Sequence, residues 1–220
     1  MSAENIVVQY EPQPSQETIQ AAAELYVELM KDEPTFLAAA SGRLELGMQM
    51  SLGVIKPLAL VSGEMYTAKN EHGKLIGFTL WGPPGRDVFY TPDQLEMGYQ
   101  EYLQQLDDEA RKFQAEMMGK TIPRFIDSTL EMNKAVLNTY WCWFAMVRKE
   151  DQGKGLCQEM FNLTYEKAKA IGATMGLITG STHNVMIYEK MGLRLRGKEK
   201  MSSPWADWTF YSMSRDTMGE

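Results

Sequence analysis

Residues 6–10, with their β-branched and aromatic side chains, read as a first strand. From Ser15 and Glu17 a helical period takes over. Ala21, Leu25, Tyr26 and Leu29 fall on one helical face, which Pro34 interrupts. A methionine-rich helical region then covers about 36–52 and is expected to end near Gly53 and Pro57. Residues 64–69 and 74–81 read as two strands around the turn at 70–73, a hairpin. Trp81-Gly-Pro-Pro-Gly85 cannot continue a central strand, because proline donates no ladder hydrogen bond. Beyond Tyr140 the pattern is regular: strand 140–147, helix 156–171, strand 174–179, helix 184–191, then strands 193–201 and 207–213. Interleaved strands and helices predict an α/β layer structure with a sheet flanked by helices.

The stretch of about 83–138 is too long for a structureless loop and reads as a helical insertion before the fourth strand. Thr91-Pro92-Asp-Gln offers a helix start, followed by Leu95, Tyr99, Tyr102 and Leu103 at helical spacing, and a second pattern covers about 108–118. Two roles fit such an insertion: a lid that shapes an acceptor pocket, or a cover for a sheet edge or an oligomer contact such as a homodimer interface.

Length and composition suit one domain, 1–220. The net charge of -7 excludes the broad basic surface that nucleic-acid binding requires, although cations gather between Arg148 and Lys200 and suit an anionic ligand there. Residues 1–6 show no basic region leading into an apolar stretch, and no uncharged apolar run is long enough to cross a bilayer, so a cytoplasmic protein without a membrane partner is expected. The two cysteines, Cys142 and Cys157, do not suggest a disulfide framework. With His72 in a hairpin turn and His183 the only other histidine, neither a metal centre nor a serine-histidine triad is expected.

The chemistry concentrates after the strand at 140–147. Gln152-Gly-Lys-Gly155-Leu-Cys157 sits between that strand and a helix, where glycines let several backbone N–H groups converge on a phosphate. It is not a P-loop, which needs Gly at Arg148 and Ser or Thr directly after the lysine. Nor is it a dinucleotide fingerprint, whose third glycine would fall at Gln158. The turn resembles the Gln/Arg-x-x-Gly-x-Gly/Ala pyrophosphate loop of the GNAT superfamily of acetyl-CoA-dependent N-acetyltransferases. Some thirty residues on, Asn184-Val-Met-Ile-Tyr188-Glu-Lys-Met-Gly192-Leu193 resembles the GNAT segment in which Asn opens a short helix and Tyr follows one turn later.

That resemblance implies a mixed sheet whose central parallel strands, 140–147 and 174–179, splay apart around the pantetheine arm of acetyl-CoA. It implies backbone contacts to pantetheine from Ala145, Met146 and Val147. The N–H groups of Gln152, Gly153, Lys154, Gly155, Leu156 and Cys157 would hold the pyrophosphate. Asn184, Tyr188 and Lys190 complete the implied cofactor contacts, with Tyr188 as the general acid that protonates the departing thiolate. Trp141, Trp143 and Phe144 read as core packing. The strand carries no carboxylate or histidine, so Glu131, just before it, is the expected general base, with Asp127 and His183 as further candidates. Cys157 replaces the usual small residue and raises a second possibility, a reactive thiol with a lowered pKa at a helix N-terminus. The expected activity is transfer of an acetyl group from acetyl-CoA to an amine, most simply of a small molecule, in a ternary complex. The alternatives are an inactive acyl-CoA-binding or interaction module and a nucleotide-binding protein.

Overall fold

A computed structural model describes residues 5–218; the segment 1–4, part of the stretch read above for a leader, lies outside the described residues. Seven strands form one mixed sheet in the order β1-β2-β3-β4-β5-β7-β6. They are β1 (Val7–Glu11), β2 (Glu64–Lys69), β3 (Leu75–Gly82), β4 (Tyr140–Val147), β5 (Met175–Thr179), β6 (Arg194–Ser202) and β7 (Asp207–Arg215). All pairs are antiparallel except β4 with β5. Alternation along the strands divides the core in two. On β2, Met65 joins the cluster under α1 (Gln16–Met30) and α3 (Gly47–Pro57), while Tyr66 and Ala68 join the cluster under α8 (Leu156–Ala170) and α9 (Thr182–Lys190).

The first helix begins where the sequence predicts. The Ser15 hydroxyl accepts from the Thr18 N–H at 3.1 Å, and Ile19, Ala22, Ala23 and Leu25 bury the inward face. The region 36–52 is not one helix. A short α2 (Pro34–Ala39) gives way to Ser41 and Gly42 in the left-handed region, and a side chain at Gly42 would collide with the Trp205 indole. Helix resumes through a single 3₁₀ turn at Leu44–Leu46, and α3 then runs past Gly53 to Pro57, where a π-helical turn at Leu58–Ser62 follows. Gly53 is required inside it because the Tyr99 backbone crosses there, where a Cβ would lie 2.7 Å from the Tyr99 Cα. Leu44–Ser62 is long and apolar enough to span a bilayer by length and composition, but half of it is buried inside the molecule, and Glu45 and Lys56 interrupt it.

The insertion holds more helix than its sequence announces. The Thr91 and Gln94 capping box opens a 3₁₀ helix, Pro92–Met97, followed by α4 (Tyr99–Gln104) and α5 (Asp108–Glu116). The helix does not stop at 118. Pro123 has no N–H for the carbonyl four residues back, and the chain passes through a π-helical turn at Met117–Thr121, with Ile122 N–H bonded to the Met117 carbonyl, into α6 (Ile122–Leu130). The short α7 (Ala135–Asn138) precedes β4.

Two buried glutamines fasten this segment to the helical layer. Gln94 Nε2 donates to the Val88 carbonyl (2.8 Å) and the Ser62 hydroxyl (3.0 Å), and Gln114 Nε2 donates to the Ala39 carbonyl (2.6 Å) and the Ser41 hydroxyl (2.8 Å). A buried acceptor left without its donor costs about 1–3 kcal/mol. Gln114→Leu is therefore expected to lower unfolding stability by about 2 kcal/mol or more, read as a fall in denaturation midpoint at unchanged slope. An unshifted midpoint would mean that α5 is held by apolar packing alone.

Candidate functional site

The parallel pair at the centre of the sheet is short. β4 and β5 pair only at Tyr140↔Met175 and Trp141↔Gly176, although β4 continues to Val147 and β5 to Thr179. Beyond that point the strands part and a cavity of about 1320 Å³ opens, lined on β4 from Trp141 to Val147 and on β5 by Ile178 and Thr179. Trp143 has no opposite residue on β3, since Leu80 pairs with Phe144 and Trp81 with Cys142. A bulge of this kind bends a strand and re-aims its side chains.

Hydrogen bonding decides which β4 groups face the gap. The Arg148 N–H donates to the Ile76 carbonyl (2.8 Å), so Gly77↔Val147 is a non-hydrogen-bonded pair and Phe78↔Met146 a bonded one. Alternation then turns the N–H and C=O of Ala145 and Val147 toward the gap, while those of Met146 are spent on β3. Met146 is thus corrected as a backbone contact; its side chain still lines the cavity. The Val147 carbonyl accepts from Gln152 Nε2 at 3.0 Å.

At the C-terminal end of β4 the chain turns through Lys149–Asp151 into α8. Gly153 and Gly155 have φ of 79° and 82°, a conformation that favours glycine, and a Cβ on either would meet nothing within 4 Å. The first bond of α8 runs from Glu159 N–H to the Gly155 carbonyl, and no side chain caps the helix. The N–H groups of Leu156, Cys157 and Gln158 therefore have no partner within the helix, and its positive end faces open space. Lys154 Nζ pairs with Asp151 at 2.7 Å. Gln152 and Lys149 reach the cavity wall, whereas Gly153, Lys154, Gly155, Leu156 and Cys157 do not line it. Burial pushes the Cys157 thiol up to about 12, opposite to the lowered value a reactive cysteine needs, which speaks against the reactive-thiol alternative.

The other wall comes from α9. Ser181 is its N-cap and Thr182 its first residue, so Asn184 lies inside the first turn rather than opening the helix. Asn184 Nδ2 donates to the Thr179 hydroxyl (3.3 Å), tying the helix to the end of β5. One turn on, Tyr188 lines the cavity, its ring stacked on Phe161 at 5.6 Å and 29°. A buried tyrosine hydroxyl usually finds a partner. That of Tyr188 makes no hydrogen bond among the described residues, and burial holds its pKa well above the ordinary value. Lys190 is exposed in the last turn and away from the cavity.

Glu131 is not brought to this site. It is exposed, caps α6 in the left-handed conformation and borders a separate depression beside Arg196 and Asp216. Asp127 does line the cavity, but its two oxygens accept the N–H groups of Lys134 (2.9 Å) and Ala135 (2.8 Å), a capping role. Asp87 accepts the Val88 N–H (2.6 Å), and His183 lines the wall while exposed. The carboxylate missed in the sequence is Glu33. It lines the cavity just before Pro34, the first residue of α2; it is exposed, like His183, and unlike Asp127 and Asp87 has no hydrogen-bond or ion-pair partner among the described residues. Close packing places it: a Cβ on Gly180 would lie 2.8 Å from the Thr35 methyl, so the start of α2 abuts the turn between β5 and α9. The available signal was Glu33-Pro34 itself, which reads only as a helix start.

No family model matches the sequence, and no curated protein matches it. Solved structures do. The chain is similar to arylalkylamine N-acetyltransferase 2 from Aedes aegypti at 16% identity, covering 97% of this chain and 99% of that one with a TM-score of 0.61. It is similar to a histone acetyltransferase HPA2 and related acetyltransferase from Corynebacterium glutamicum at 16% identity, 97% and 96% coverage and a TM-score of 0.59. An acetyltransferase of the GNAT family from Streptococcus pneumoniae gives 14% identity, 96% and 99% coverage and a TM-score of 0.53. At these identities the likeness establishes the fold: the described chain has the mixed, helix-flanked sheet of GNAT acetyltransferases.

Proposed function

We propose that this chain transfers an acetyl group from acetyl-CoA to the amine of a small molecule by direct attack in a ternary complex. The observation that carries the reading is the parting of β4 and β5 after two residue pairs, into a cavity lined by Gln152, the residue before the glycine turn, and by Tyr188. The residues present fit the donor. Ala145 and Val147 turn backbone groups into the gap to take the pantetheine amides, and the uncapped start of α8 with its open glycines suits a pyrophosphate. Acetyl-CoA supplies the acetyl thioester and a thiolate leaving group.

The chain's own residues divide the remaining work. Glu33 accepts a proton from the acceptor ammonium, directly or through water, leaving a neutral nucleophile. An N–H facing the gap, that of Ala145, stabilises the oxyanion of the tetrahedral intermediate. As the C–S bond of the intermediate breaks, Tyr188 gives its phenolic proton to the leaving sulfur, and the proton that the nitrogen sheds on becoming an amide returns through water to restore the phenol. The arylalkylamine acetyltransferase named above supports a small amine as acceptor, since its likeness to this chain covers nearly the whole fold.

Calorimetric titration with acetyl-CoA, CoA and ATP, with thiol release followed over an amine panel, tests the reading. Both CoA species should bind, ATP alone should not, and at least one amine should release thiol. Absence of CoA binding would sink the proposal; ATP binding without CoA binding would make the turn a nucleotide site.

A further inference from the structure

We propose that the half of the cavity walled by the insertion holds the apolar body of a hydrophobic primary amine, so that acceptors are ranked by apolar bulk rather than by hydrogen bonding. This rests on the acetyl-transfer reading and names its acceptor class. The cavity exceeds the few hundred to about 1,000 Å³ of an ordinary small-ligand site. Its lining includes Phe144, Trp208 and Phe210 from the sheet and Phe89, Phe113 and Met117 from the insertion.

The amide, guanidinium and carboxylate groups of the insertion that line this space are already committed, and the buried Trp143 and Trp208 indole N–H groups, which have no partner, can only donate. Gln114 is spent on the Ala39 carbonyl and Ser41, Asp127 on two backbone N–H groups, Asp87 on the Val88 N–H, and Arg111 on Asp108 and the Leu106 carbonyl. A polyamine or amino sugar would leave its extra ammonium groups without an anionic partner, because Asp127 and Asp87 are spent on backbone N–H groups. Such loss is costly in a desolvated site. Methionines at 30, 50, 117 and 118 line the same space. Their unbranched, polarisable side chains adapt to aliphatic and aromatic bodies alike, so the chamber sorts by apolar surface rather than by one shape. The unpartnered Glu33 carboxylate suits the cationic head of the same molecule. An amphiphile with one charged end matches both halves.

The test is kcat/KM for propyl-, butyl-, hexyl- and octylamine and for phenethylamine, beside spermidine, glucosamine and lysine, at fixed acetyl-CoA. Each added methylene should raise kcat/KM about threefold until the chamber is filled, and the polar comparators should fall at least tenfold below hexylamine. Met118→Glu places a charge in the wall at a residue 46% exposed, where the fold can tolerate it. It should cut kcat/KM for hexylamine at least tenfold, with acetyl-CoA binding by calorimetry confirming an intact fold. A flat alkylamine series, a preferred polar acceptor or an unaffected Met118→Glu enzyme overturns the inference. So does faster transfer from octanoyl-CoA than from acetyl-CoA, which would give the chamber to the acyl chain. Wild-type protein that binds no CoA defeats the acetyl-transfer reading itself, a separate and recognisable failure.

Discussion

Glu33→Gln is expected to lower kcat/KM for amine acceptors by about 10²–10³ near neutral pH while leaving acetyl-CoA affinity unchanged. Three carboxylates line the cavity, and two have other duties: Asp127 caps two N–H groups and Asp87 accepts the Val88 N–H. Glu33 is held by Pro34, whose fixed φ starts α2, and by the contact of Thr35 with Gly180 at the mouth of α9. Gln keeps the shape and removes the proton acceptor. An alkylamine with an ordinary pKa near that of lysine, about 10.4, is almost wholly protonated at pH 7, so loss of the base leaves only the scarce neutral amine to react. That fraction grows about tenfold per pH unit below the amine pKa, and the deficit of the variant should therefore shrink as pH rises. Measured kcat/KM against pH for both proteins decides the matter. Equal profiles would remove Glu33 from the chemistry.

The parts of this architecture legible in the sequence are those that local rules control. Strand alternation, the Ser15 cap and the Gly153 and Gly155 turn are all set within a few residues, and each appears where the sequence places it. The parting of β4 from β5 followed only from the resemblance, because a strand's side-chain pattern does not say where its pairing ends. Failures came where tertiary contact overrides local preference. Gly53 reads as a helix terminator, yet α3 runs through it and ends at Pro57, and the Tyr99 backbone takes the space that Gly53 leaves. Sequence does not say which of two alternating backbone faces of β4 meets β3, so Met146 reads like its neighbours; the Arg148 to Ile76 bond gives its N–H and C=O to β3.

The proposed general base is the element least legible in the sequence, for a topological reason. Glu131 is close to β4 in sequence, but α6 ends there and turns the residue to another face. Glu33 is more than a hundred residues from Tyr188 and reaches the same cavity only through the packing of α2 against the β5 end. A carboxylate that reaches a cavity through tertiary packing leaves no local signature. The insertion posed the same problem: its amphipathic helices were visible, while its role as a wall depends on Gln94 and Gln114 meeting acceptors on distant helices.

Tyr188→Phe is expected to reduce kcat by about 10- to 10²-fold with acetyl-CoA affinity and thermal stability little changed. The substitution removes one atom whose hydroxyl has no protein partner, and Phe keeps the stacking on Phe161, so folding loses little. Burial raises the Tyr188 pKa, the Cys157 and Cys142 thiols adding to the shift, so the phenol stays protonated throughout the working range. A raised pKa makes a weak acid in water. In this cavity the departing thiolate is desolvated as well, and the burial that disfavours the phenolate also disfavours the free thiolate, so the proton can pass between groups of matched affinity. Loss of the donor should therefore appear in the chemical step alone. Single-turnover rates of thiol release, measured beside calorimetric acetyl-CoA binding, separate the two; wild-type rates in the variant would leave Tyr188 as a packing residue and assign the leaving-group proton to water.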